Sequence, residues 1–319
     1  MKTKSSLNKT IDISVESGRK YLEKCIRIES KAEINDILDK TIIGDTFHTV
    51  KLLPECFVDL LIADPPYNLD KSFNDKKFKK TSDEEYAEYT EEWIKSIFPL
   101  LKPEASIYVC CDWQSSTVIG NILKKYFYIR NRITWQREKG RGALKNWKNG
   151  MEDIWFATMS KQYTFNVNDV KIRRKVIAPY KENGEPKDWE KTENGNFRNT
   201  YPSNFWDDIS IPYWSMSENT AHPTQKPEKL LAKLILASSN TGDVVFDPFL
   251  GSGSTSVTAK KLKRHFCGIE QNEIYCVWTE KRLEMADSDF TIQGYTDGIF
   301  WERNTKTKQK NNLKTHNSR

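Results

Sequence analysis

The chain predicts an α/β fold built on a mostly parallel sheet with helices packed on both faces. Short, nearly continuous apolar runs such as Phe57-Val58-Asp59-Leu60-Leu61-Ile62-Ala63 and Val244-Val245-Phe246 have the length and composition of strands buried on both sides. Segments of helical period alternate with these runs, as crossovers between parallel strands require. Two of the runs end abruptly in turns dense with chemistry, Asp64-Pro65-Pro66-Tyr67 and Asp247-Pro248-Phe249-Leu250-Gly251-Ser252-Gly253. Open α/β sheets place their ligands at the carboxyl ends of strands, where these turns would lie.

From the amino terminus, a charged stretch over residues 19–38 predicts a helix within an extension of residues 1–40. A strand over 41–44 follows, then Asp45 and a short helical stretch. The strand at 58–63 delivers the Asp-Pro-Pro-Tyr turn, and the Lys-rich segment 71–80 beside it reads as a mobile loop. Ser82 and Glu85 have the capping-box spacing, and Tyr86, Tyr89, Trp93, Ile97 and Leu101 then repeat on one helical face. Strands are predicted at 106–111, 130–136 and 154–159, with a helix at 118–125. Over 160–221 no long periodic segment appears, yet five aromatics between Tyr201 and Trp214 argue against disorder. Alternation resumes at His222: an amphipathic helix at 227–238, a strand at 244–246, a helix at 254–262, a strand at 266–269 and a final helix at 273–285.

Composition bounds the function. The 319 residues carry a formal net charge of +6, and 37% are hydrophobic. The longest apolar runs are strand-length, so no membrane span is predicted, and the polar start MKTKSSLNKT predicts no secretory signal. The six cysteines show no CxxC spacing and the four histidines are scattered, which predicts free thiols in a reducing cytoplasm and no metal site. Six Lys/Arg and no acid lie in 303–319, a basic tail expected to be disordered. The denser basic signal is internal: Arg130, Arg132, Arg137, Lys139, Arg141, Lys145 and Lys148, interleaved with Trp135 and Trp147, suit a phosphate backbone. A second cluster, Lys171, Arg173, Arg174 and Lys175, lies near the start of the irregular segment. Its members are candidates for base or phosphate contacts.

The two turns carry complementary chemistry. Each proline locks φ and lacks an N–H, so the first turn presents stiff carbonyls beside a carboxylate and a flat ring. Asp64, the Pro65 carbonyl, Pro66 and Tyr67 could together grip an exocyclic amine on an extruded nucleobase. In the second turn Gly251 and Gly253 allow a tight bend and close approach to a ligand, ahead of a helix with free N–H groups. Glu270 closes the next strand about 20 residues later, where an acid reaches a ribose. The full GxGxxG is absent, so a nucleoside without a pyrophosphate fits better than a dinucleotide.

With those residues in view, the chain resembles the β-group DNA amino-methyltransferases of type II restriction–modification systems. Their (D/N/S)PP(Y/F) turn matches residues 64–67, and their DPFxGSG(S/T)T loop matches residues 247–255, here Asp247 to Thr255. The order is the circularly permuted one, catalytic turn first. His222-Pro223-Thr224-Gln225-Lys226-Pro227 matches the segment that meets the methionine end of S-adenosylmethionine (AdoMet), Asp45 matches the acid that reaches its adenine, and Glu270 the ribose position. The resemblance covers roughly 41–160 and 222–300. It implies a Rossmann-like AdoMet-dependent fold with a catalytic half (41–159), an irregular target-recognition insert (160–221) and a cofactor half (222–302). The catalytic residues implied are Asp64, Pro65, Pro66 and Tyr67. The implied cofactor residues are Asp45, Thr224, Gln225, Lys226, Asp247, Phe249, Gly251, Ser252, Gly253, Thr255 and Glu270. The implied substrate is duplex DNA, contacted by residues such as Arg137, Lys139, Arg141, Lys145, Lys171, Arg173 and Arg174. Asp at the first position of the turn favours adenine N6, with cytosine N4 as the alternative and RNA or a protein amide further off. A cognate restriction endonuclease is the implied functional partner. Where many relatives carry His-Glu, this chain has Met151-Glu152-Asp153, to which no role is assigned.

Overall fold

The computed structural model describes residues 5–69, 71–73, 76–78, 80–137, 145–176, 180–193 and 195–302. The predicted basic tail, 303–319, lies outside them. Strands β1 (Lys40–Ile43), β2 (Val58–Ala63), β3 (Leu101–Cys111), β4 (Tyr128–Gln136) and β5 (Met151–Thr158) belong to the principal sheet. Strands β6 (Ile172–Lys175), β7 (Glu190–Thr192) and β8 (Gly195–Thr200) build a second sheet, while β9 (Phe205–Trp206) returns to the first. Strands β10 (Val244–Asp247) and β11 (His265–Glu270) complete the principal sheet, in the order β1-β11-β10-β2-β3-β5-β4-β9. Every neighbouring pair is parallel except those made by β5, which runs against both β3 and β4.

Both faces are covered, as the apolar strands predict. On one face Leu61, Ala63, Ile107, Val109 and Phe246 pack beneath helices α1 (Asp83–Ile97) and α2 (Ser116–Tyr126). The predicted capping box is present: the Ser82 side chain accepts from the Glu85 N–H and the Glu85 side chain from the Ser82 N–H. On the other face Leu60, Ile62, Tyr108 and Val245 meet α3 (Glu228–Ser238), α4 (Ser254–Lys261) and α5 (Glu273–Met285).

Three expectations are corrected. The helix over 19–38 is replaced by two single turns, Arg19–Leu22 and Ile34–Ile37. Between them Ile26 is drawn out beside β1, its N–H donating to the Thr41 carbonyl and its carbonyl accepting from the Ile43 N–H. Sheet pairing wins over helical propensity there. The Lys-rich segment forms a short antiparallel hairpin, Lys71–Phe73 against Lys76–Phe78. Helix α3 is not amphipathic in its setting, because all eleven of its residues are buried. The reason is the second sheet, ordered β7-β8-β6-β13-β12, whose last two strands, β12 (Tyr295–Thr296) and β13 (Ile299–Trp301), come from beyond α5. Val170, Ile172 and Phe300 pack on Ala232, Leu236 and Ala237, so α3 is clasped between two layers. Its lysines are paired inside: Lys229 and Lys233 reach Asp208 at 2.7 and 2.8 Å.

Candidate active site

Strand β2 ends at Ala63, and the next four residues turn over the carboxyl edge of the sheet. The Tyr86 hydroxyl of α1 donates to the Pro66 carbonyl at 3.0 Å, tying the rigid turn to its covering helix. Tyr67 Oη donates to Asp64 Oδ1 at 2.8 Å. The other carboxylate oxygen, Oδ2, accepts from Lys226 Nζ at 2.6 Å, and Nζ lies 3.0 Å from Tyr67 Oη. A second acid completes this group. Glu152 Oε2 lies 3.3 Å from Tyr67 Oη and 3.4 Å from Lys226 Nζ, and Oε1 pairs with Arg137. Lys226 and Glu152 are buried. The carboxylates hold the Lys226 ammonium more firmly protonated than usual against the desolvation that opposes its charge.

Beside this turn, β10 ends in Asp247. Its carboxylate accepts from the Phe249 N–H at 2.9 Å and from Thr255 Oγ1 at 2.5 Å, so it shapes the glycine bend from within. Gly251 and Gly253 sit at φ +57° and +78°, a region in which a side chain is strained. A Cβ on Gly253 would fall 2.4 Å from Thr279 Cγ2, so this glycine lets the bend press onto α5. Glu270, at the end of β11, accepts from the Gly251 N–H at 2.9 Å and the Asn272 N–H at 2.7 Å. Beneath the bend, Arg282 is buried, donating to the Ser252 carbonyl at 2.7 Å and to Glu228 at 3.0 Å.

The two turns line one cavity of about 540 Å³, within the range of small-molecule sites. Asp64, Pro65, Pro66 and Tyr67 meet Thr224, Gln225, Lys226, Asp247, Phe249, Gly251, Ser252, Thr255 and Glu270 around it. Asp45 and Gly253 are not among its lining residues. Asp45 instead caps the short helix Thr46–Thr49 by accepting from the His48 N–H, and the neighbouring Thr46 faces the cavity. Gln225 spends its amide on Thr220 and Glu218, bracing its own turn. His222 lines the wall edge-on to Tyr275, with ring centroids 4.4 Å apart. Its Nδ1 accepts from the Thr224 N–H, which leaves the proton on Nε2. Burial lowers its pKa to about 3.

Val15 and Glu152 are among the residues of this site that escaped the sequence reading. Val15, from the extension, lines the cavity, brought there because residues 9–11 hydrogen-bond alongside 214–221. Glu152 reaches the site because β5 is reversed, so its beginning lies at the edge where every neighbour ends. Its one visible signal is an acidic pair opening an apolar strand.

Of the basic residues, Lys145 is exposed, whereas Arg137 turns inward onto Glu152. Arg173 pairs with Glu190 at 2.7 Å, with its guanidinium over the rings of Phe197 and Trp301. Arg174 approaches Glu302 at 3.6 Å, and Lys171 lies over the Tyr201 ring. Lys139 and Arg141 lie outside the described residues.

The acids around the cavity predict a pH signature. Burial raises Asp247, Glu270 and Glu218 to about 7. Between their unfolded values and pH 7 the folded chain therefore holds more protons, and its stability falls as pH rises. His222 acts oppositely, but only below its unfolded value of 6.5. Thermal melts of the ligand-free protein should therefore show Tm falling between pH 6.5 and about 7.5, with a shallower fall in Glu270→Gln. An equal slope in the variant would remove Glu270 from this balance.

An open α/β sheet with two chemically distinct strand-end turns facing one cavity is an arrangement suited to group transfer between two ligands. The comparisons make this specific. Residues 58–281 match the family model described as DNA methylase. The chain is 35% identical over 256 residues to the DNA adenine methyltransferase YhdJ of Escherichia coli (strain K12), covering 77% of this chain and 83% of that protein. It is 33% identical over 258 residues to the type II methyltransferase M.HpaI of Haemophilus parainfluenzae, covering 79% and 75%. The crystal structure of an M1.HpyAVI–AdoMet complex superposes with a TM-score of 0.54 at 25% identity, covering 76% of this chain and 98% of that one. The chain belongs to the N6/N4 DNA methylase family. It is an AdoMet-dependent DNA methyltransferase. The residues present are compatible with that cofactor: the Glu270 carboxylate lines the cavity, and a side chain on Gly251 would crowd His222 at 3.3 Å. No described helix is long and apolar enough to cross a membrane.

Proposed function

We propose that this chain methylates N6 of an adenine extruded from a specific duplex sequence, as the modification partner of a restriction endonuclease. What carries the reading is the convergence of the Asp-Pro-Pro-Tyr turn and the glycine bend with Glu270 on one cavity. AdoMet supplies an electrophilic sulfonium methyl when bound. The residues around it have the harder task, because the lone pair of an exocyclic amine is delocalised into its ring. Asp64 accepts one N–H and the Pro65 carbonyl the other, drawing the nitrogen out of conjugation and aiming its lone pair. This is positioning and electrostatics, with the proton lost through Asp64 or to water. Tyr67 stacks on the extruded base, offsetting part of the few kcal/mol that extrusion costs. Glu270 holds the ribose, and Thr224 with the bend at 249–253 encloses the methionine end.

With the catalytic turn ahead of the glycine bend in the chain, 160–221 is the segment proposed to read the base sequence. Here strand β6 of the second sheet carries Arg173 and Arg174, with Lys171 directly before it, while Lys145 lies on the basic segment. Replacing 160–221 with the corresponding stretch of a relative should change the methylated sequence, read by long-read sequencing. An unchanged site would move recognition elsewhere.

Adenine is favoured by Asp64 and by the named activity of the relative YhdJ. Long-read sequencing of DNA from an expressing host tests the whole proposal. N6-methyladenine at one short motif is the expected result. N4-methylcytosine would replace the base assignment, and unmodified DNA would overturn the function.

A further inference from the structure

Both oxygens of the carboxylate assigned to the target amine are already occupied. Asp64 Oδ1 accepts from Tyr67 at 2.8 Å and Oδ2 from Lys226 at 2.6 Å. Each oxygen keeps a further acceptor site, but a cation sits where a second one is about to form. The nitrogen lone pair forms the new N–C bond while the C–S electron pair returns to sulfur. Positive charge thus passes from sulfonium to amine until a proton leaves. An ammonium bound to Asp64 competes for the same oxygen and opposes that charge.

Lys226 is buried, so it cannot simply leave for water; a buried charge without a partner is strongly disfavoured. The site holds a second acceptor within reach of both occupants. Glu152 Oε2 stands 3.4 Å from Lys226 Nζ and 3.3 Å from Tyr67 Oη, while Arg137 fixes the other oxygen. Two carboxylates and two cations make the group neutral as a whole, so a proton-bearing nitrogen can pass between acids without unbalancing it.

From this geometry we infer that Glu152 is a positioning residue, the acceptor to which Lys226 and Tyr67 transfer when the target amine takes Asp64. The inference rests on the methyl-transfer reading of Asp64 given above.

The test is single-turnover transfer from tritiated AdoMet to DNA from the same host strain lacking the enzyme. AdoMet is saturating, and its Kd is measured in parallel by equilibrium dialysis. Glu152→Gln keeps the shape but weakens the hold on Lys226, and it should slow transfer about 30-fold with AdoMet affinity within about two-fold of the parent. The double variant Glu152→Gln/Lys226→Met has no ammonium left on Asp64, and it should recover about ten-fold over Glu152→Gln alone, a coupling within the range of contacting residues. A purely structural Glu152 predicts the opposite, a double variant slower than either single. That outcome, an unimpaired Glu152→Gln, or loss of its AdoMet binding would each overturn the inference. Asp64→Ala run alongside separates the two claims: an active Asp64→Ala removes the parent reading, whereas an inactive one with no rescue removes only the role of Glu152.

Discussion

Asp64→Ala is expected to abolish methyl transfer, by at least about 10³-fold, while AdoMet still binds within a few-fold of the parent affinity. The separation follows from where the carboxylate sits. Its hydrogen-bond partners are Tyr67 and Lys226, whereas the bend is shaped by a separate set, Asp247, Glu270 and Arg282. Removing it leaves Lys226 with Glu152 and Tyr67, so the buried ammonium keeps a charged partner and the fold survives. With no acceptor at that place, the amine stays conjugated and its lone pair is not aimed. Transfer from tritiated AdoMet, paired with equilibrium dialysis, checks both halves. Near-parental turnover would remove Asp64 from the chemistry, and lost cofactor binding would make it a structural residue.

Arg282→Met should produce the largest loss of stability among single changes near the site. The guanidinium is buried and serves three acceptors: the Ser252 carbonyl, Ser254 Oγ at 3.0 Å and Glu228 Oε1 at 3.0 Å. Glu228 would keep Lys261 at 2.7 Å, but its N–H already serves Glu218, an acid whose pKa burial raises to about 7. Breaking a buried pair from one side costs about 3–5 kcal/mol. For a chain of this size that corresponds to a fall in Tm of roughly 5–7 °C. The Ser252 carbonyl belongs to the glycine bend, so AdoMet affinity should fall with stability. A melting shift of only a degree or two would show that Arg282 is dispensable beneath the loop.

What could be read without coordinates was what local order encodes. Asp64, Asp247 and Glu270 each follow an apolar run directly, and a run followed by an acid places that acid at a strand end whatever the topology. The bend at 251–253 was legible because glycine spacing states its own backbone demand. Strand direction has no such mark. Met151–Thr158 reads alike in either sense, so nothing local says that Glu152 faces Asp64 instead of the far edge. Long-range partnership was equally hidden. The turn at 23–33 would read as helix until Ile26 finds β1, and 172–200 looks irregular because the strand that stiffens it, Ile299–Trp301, is contributed a hundred residues later. Lys229 and Lys233 look like a solvent face until Asp208 arrives.

The burial of Glu228–Ser238 on all sides has a practical corollary for protein engineers. A recognition module transplanted at the borders 160 and 221 would land on a foreign underside, because its foundation includes Ala232, Leu236 and Phe300 from outside those borders. A cut that also carries 286–302 and keeps Asp208 matched to the two lysines would move an intact building block. The exchangeable unit is therefore discontinuous in the chain, though contiguous in space.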